Sequence, residues 1–104
     1  MKPSEVIILG IKYKIEYVNN TSDVDPMKRR ALWGHIDYWN RTIRIYDKER
    51  NTDDIWHTLI HEVLHGIADA LKLKLNDEEM HDELDVLALA IMDVLFRNNW
   101  IKAE

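Results

Sequence analysis

Two histidines four residues apart, His61 and His65, with a glutamate directly after the first, form a His-Glu-x-x-His pattern inside the stretch from Trp56 to Asp69. On a helix turning about 100° per residue the two imidazoles stand on one face, one turn apart, so a nitrogen from each can meet at a single metal ion. Glu62 lies beside them. Its carboxylate can reach a water next to the metal without taking a coordination position, as metal-assisted hydrolysis requires. A pattern of three fixed letters recurs by chance, so the flanks decide. Leu59, Ile60, Val63, Leu64, Ile67 and Leu71 form a wide apolar stripe with the histidines along its border. Two surface histidines on an ordinary core helix is the competing reading. The glutamate, the helical pattern and the border position together weigh against it.

Two histidines leave a zinc site short of a protein ligand, and with no cysteine in the chain the third must be His, Asp or Glu. Asn76 and Glu79 stand at capping-box spacing and open a second expected helix that runs to about Asn98. Its apolar stripe is Met80, Leu84, Leu87, Ala88, Ile91 and Leu95. His81 and Asp85 flank that stripe together, whereas Glu79, Asp82 and Glu83 point further toward solvent. His81 is therefore the expected third ligand, against the alternative of an exposed histidine in an acidic stretch. Glu78 is the reserve. Asp85, one turn on, is placed to accept a hydrogen bond from a ligand imidazole and fix its tautomer. His57 shares the histidine face, but a third ligand from the same helix would lie too far along the axis, so a place on the rim is expected. Asp69, one turn after His65, reads equally as a support for a ligand or as a structural carboxylate.

The elements that must position these residues read as strands first and helices second. Val6 to Leu9 and the alternating run Ile11 to Val18, split by Gly10, suggest two antiparallel strands with Ile11, Tyr13, Ile15 and Tyr17 on the inner face. Asp25-Pro26 could open one or two helical turns through Arg30. Leu32 to Tyr38 and Thr42 to Tyr46, joined near Trp39-Asn40-Arg41, read as a hairpin. Asn51 or Thr52 caps the motif helix, with Asp53 and Asp54 in its first turn, and the helix should reach about Leu73.

The chain has 104 residues, 46% of them hydrophobic and 32% charged, which suits one domain over 1–104 with a modest core. A net charge of −5 argues against broad nucleic-acid binding, and Lys28-Arg29-Arg30 is too short to reverse it. No run is long enough to span a bilayer and Val6 to Leu9 is too short for a signal sequence, so a soluble cytoplasmic protein without membrane association is expected.

His61-Glu62-Val63-Leu64-His65-Gly66-Ile67-Ala68-Asp69, preceded by short strands and followed by one further helix, resembles the minigluzincins and similar phage-encoded small metallopeptidases. The resemblance spans nearly the whole chain, including the hairpin Gly34 to Ile45 and the helix tail Leu87 to Asn98. It implies an α+β, zincin-like fold: a small antiparallel sheet packed on the motif helix, with the second long helix behind. It also implies a Zn2+ cofactor, a peptide or protein substrate held by an edge strand of the hairpin, and catalysis by Glu62 as general base. In gluzincins the third ligand is a glutamate on the later helix with an acid one turn on; here His81 and Asp85 stand at those places. Tyr38, Tyr46 and His35 are the open choices for stabilising the oxyanion. A different class is a non-catalytic or latent metal-binding accessory domain of a phage or mobile element, with a protein partner; a further alternative is a latent enzyme blocked by its own apolar tail Asn99-Trp100-Ile101-Lys102.

Overall fold

A computed structural model describes residues 2–25 and 32–101. The expected helical turns through Arg30 and the Lys28-Arg29-Arg30 cluster lie outside the described residues. The architecture is α+β: strands β1 (Glu5–Ile8), β2 (Ile11–Val18), β3 (Gly34–Asp37) and β4 (Thr42–Tyr46), then helices α1 (Thr52–Leu71) and α2 (His81–Arg97).

Leu9 and Gly10 both take positive φ, the geometry of a two-residue hairpin turn, and they join β1 to β2 antiparallel. The second hairpin, β3 to β4, is closed by Asp37, whose Oδ1 accepts from the backbone N–H groups of Trp39 and Asn40. The two hairpins do not form the wholly antiparallel sheet expected. Strand order is β1-β2-β4-β3, and the central pair β2–β4 is parallel, Lys14 opposite Thr42 through Val18 opposite Tyr46. The long connection from β2 to β3 carries the chain past the position beside β2, so β4 returns alongside it in the same direction. This leaves β3 on an edge.

One face of the sheet, with Tyr13, Ile15, Ile36, Ile43 and Ile45, packs on Ile55 and Leu59 of α1. The far side of α1, with Ile60 and Leu64, meets Leu84 and Ala88 of α2. α1 is thus the middle layer, apolar on two sides, and His61 and His65 lie along the strip between them. Gly66 sets the closeness of the first layer: a Cβ there would come within 2.7 Å of Ile8 Cδ1 and 3.1 Å of Ile36 Cδ1.

α1 ends at Lys72 in the left-handed conformation, whose N–H bonds to Ala68 and Asp69 carbonyls while the Leu73 N–H bonds to Ala68. Leu71, expected in the stripe, is therefore past the packed turns and largely exposed, and so is Leu87 on α2. Asn51 does precede the helix, but its side chain makes no capping bond. Nor does Asn76 open α2. Two short 3₁₀ turns, Lys74–Asn76 and Glu78–Met80, come first, and the α-helix starts at His81. Among the described residues no helix is long and apolar enough to cross a membrane.

Candidate metal centre

His61 and His65 project from the middle of α1, and the start of α2 delivers His81 to the same point. One ligand atom from each lies within 4.8 Å of the others. His57 sits one turn back on the cleft wall and Glu78 in the exposed turn before α2, and neither joins this cluster among the described residues.

The state of the imidazoles follows from their outer partners. His61 Nδ1 is 2.8 Å from Asp85 Oδ1, and an ionised carboxylate only accepts, so this nitrogen carries the proton. His65 Nδ1 is 2.7 Å from Asn76 Oδ1, while Asn76 Nδ2 donates to the His65 carbonyl at 3.2 Å, which fixes the amide so that His65 Nδ1 also donates. Burial pushes the His61 imidazole below its ordinary pKa, against the opposing pull of the Asp85 hydrogen bond. With each Nδ1 donating outward, the two Nε2 atoms face one another at 3.2 Å, and an uncharged ring of this tautomer presents a lone pair there. Two converging lone pairs repel unless a cation lies between them. Tetrahedral zinc holds imidazole nitrogens at about 2.0–2.1 Å, which spaces them roughly 3.3–3.4 Å apart. The donor set and its spacing fit zinc.

Asp85 also reaches His57: Nε2 of that ring lies 3.3 Å from the Asp85 carboxylate and 3.3 Å from its backbone carbonyl. One carboxylate thereby orients two rings on α1. The imidazole N–H groups are already matched to Asp85 and Asn76; burial chiefly, and the charge of Asp69 in smaller part, raise the pKa of the Tyr13 and Tyr38 hydroxyls.

Glu62 points from α1 toward β3. Its carboxyl accepts from the Ile36 N–H and is pushed up to about 8 by burial. It can approach the strand because Gly34 has no side chain: a Cβ there would lie 2.5 Å from Thr58 Cγ2 and 3.2 Å from Glu62 Oε2. The cleft in front, about 400 Å³, is lined by Trp33, Gly34, Arg50, Thr58, Glu62 and the three rings His57, His61 and His81, with Asp54 and Asp85 at its acidic margin. Arg50 is clamped in its wall, donating to the Tyr46 and Asp54 carbonyls and to Thr58 Oγ1, with Trp33 stacked 4.3 Å from the guanidinium.

Of the three residues open for oxyanion stabilisation, Tyr38 reaches α1, its hydroxyl 3.3 Å from the His65 carbonyl. His35 alternates with Gly34 and Ile36 and so faces the side of β3 away from the helix. Asn99 bonds back to the Phe96 carbonyl and Trp100 and Ile101 to that of Leu95, at the far end of α2, about 25 Å along the helix from His81, and these residues do not line the cleft.

Asn76, Arg50 and Trp33 are the site residues that spacing did not single out. Gly34 carried a readable signal, since a glycine inside a strand marks close approach of another element. Compared with known proteins, the chain matches no family model, no curated protein and no solved structure.

Proposed function

We propose that this protein is a zinc-dependent peptidase of minigluzincin-like type, acting in the cytoplasm on a peptide or protein substrate. The observation that carries the reading is the pair of Nε2 atoms turned on each other at 3.2 Å, with His81 brought to the same point and a buried carboxylate beside them. His61, His65 and His81 would hold the ion. Bound zinc supplies Lewis acidity, which polarises a scissile carbonyl and eases deprotonation of water.

The chain's own residues do the rest. Glu62 takes a proton from the attacking water as its oxygen bonds to the carbonyl carbon, then gives that proton to the amine nitrogen as the C–N bond breaks. Burial alone favours the protonated carboxyl. A dication nearby favours the charged form, which matches the group to a base at neutral pH. The Ile36 N–H holds the carboxyl in place. The outer edge of β3, free of β4, borders the cleft where an extended peptide would pair.

Glu62→Gln is the test, because it keeps size and the hydrogen bond from Ile36 but removes the proton acceptor. With an unfolded protein such as casein, the parent should cleave and the variant should retain zinc and lose cleavage by at least 100-fold. Full zinc occupancy with no cleavage by the parent would replace this reading with that of a metal-binding accessory domain that engages a protein partner.

A further inference from the structure

α2 carries a second apolar strip on the side turned away from both α1 and the histidines. Leu84 and Ala88 are fully buried against α1, yet Val86 is 64% exposed, Leu87 40% and Val94 48%. Glu83, Leu87, Ala90, Val94 and Arg97 follow one another at spacings of four, three, four and three, which is a heptad seam, with Val86 along its flank. Asp82, Glu83, Val86, Leu87 and Ala90 line a shallow groove there.

The seam has a charge order. Glu83 stands at its N-terminal end and Arg97, paired with Asp93 beside the strip, at its C-terminal end, with the small Ala90 midway between Glu83 and Arg97. A strip that is acid at one end, base at the other and narrow at the centre is complementary to itself turned end for end.

We infer that this face of α2 binds a second copy of the chain in an antiparallel, two-fold symmetric pairing centred on Ala90. In that register Glu83 meets the partner's Arg97, and Val86 and Leu87 meet the partner's Val94. Each contact occurs twice, as an isologous interface requires. Ala90 opposite itself lets the helices approach closely. Arg97 already binds Asp93 through Nε at 2.7 Å, a pairing the partner's Glu83 would share. His81 and Asp85 lie on the opposite side of α2, so the metal cleft stays open in the dimer. A seam from one helix of 17 residues lies at the low end of stable interfaces, so a dimer in exchange with monomer is expected.

Sedimentation velocity of the intact chain should show the mass rising from 12.4 kDa toward twice that value as concentration increases. Ala90→Glu, at an exposed helical position, should remain monomeric with unchanged helical circular dichroism. Glu83→Arg and Arg97→Glu should each weaken the dimer by at least tenfold, and the double reversal in one chain should restore it. A parent that stays monomeric at millimolar concentration overturns the inference, as does a dimer indifferent to Ala90→Glu. Failure of the double reversal to restore pairing would mean that Glu83 and Arg97 do not meet across the interface and would also overturn it.

Discussion

The Asn76 side chain grips His65 at two points, accepting from the imidazole Nδ1 at 2.7 Å and donating to the backbone carbonyl at 3.2 Å. This fixes both the tautomer and the rotation of the ring from a turn that precedes α2. Asn76→Ala should therefore weaken zinc binding by about 10–100-fold, the usual cost of losing the outer partner of a ligand imidazole. Asn76→Asp keeps the acceptor and should stay within a few-fold of the parent. Competition with a zinc-responsive chelator would measure both, and equal affinities for parent and Asn76→Ala would show that the ring needs no such support.

Asn76 also shows where a sequence stops being readable. An asparagine three residues before a glutamate is a capping box by pattern, yet the tertiary partner won: the amide serves His65, and 3₁₀ turns replace the expected first turn of the helix. His61, His65 and Asp85 could be placed because helical period alone puts them on defined faces, and His81 because it borders the buried Leu84 and Ala88 stripe even though α2 starts later than its cap signal suggested. Leu71 and Leu87 belong to the same stripes by period, but the left-handed turn at Lys72 and the seam on α2 leave them outside the packed faces. The parallel pairing of β2 and β4 had no local signal, since strand alternation does not encode direction. Arg50 reads as part of a charged connection, and only the folded chain brings its guanidinium under Trp33.

Gly34 governs how near α1 can come to the edge strand. Gly34→Ala sets a methyl 2.5 Å from Thr58 Cγ2, so the helix or strand must shift, at a cost of about 1–3 kcal/mol. Thr58→Ser removes that methyl and keeps the hydroxyl that binds Arg50. The double variant should thus recover at least half of the lost stability in urea titration. No recovery would place the strain at Glu62 Oε2, the next nearest atom, and recovery by Glu62→Ala would then be the check.

Asp37 ties the β3–β4 turn, and the backbone N–H of Asn40 lowers its carboxyl pKa, with smaller help from the Asn40 side chain, Arg44 and the Trp39 N–H against the cost of burial. A carboxyl depressed in the folded state adds stability above its unfolded value, and that stability is lost as pH falls through the folded value. Asp37→Ala should cost about 1–2 kcal/mol at neutral pH. The gap between parent and variant should narrow below roughly pH 4, where the unfolded carboxyl begins to bind protons. Denaturant midpoints for both chains across that range measure it, and a gap constant with pH would assign the effect to packing instead of charge.

Zinc should stabilise the fold through the site alone, because an ion that binds the native state and not the unfolded chain shifts the equilibrium by mass action. At a hundredfold excess over the dissociation constant the gain is about 2.7 kcal/mol, or roughly 12 °C in melting temperature for a chain of this size. His81 separates the metal effect from packing, since its side chain is 62% exposed and supports no core contact. His81→Ala should melt like the parent when both are metal-free and lose most of the zinc increment. His61→Ala should lose the increment too, and in the metal-free state it should not be less stable than a cavity at a half-buried ring would suggest, because it removes one of two facing lone pairs. Thermal scans of the three chains with chelator and with zinc decide the matter: an increment that survives in both variants would put the ion somewhere other than between these rings.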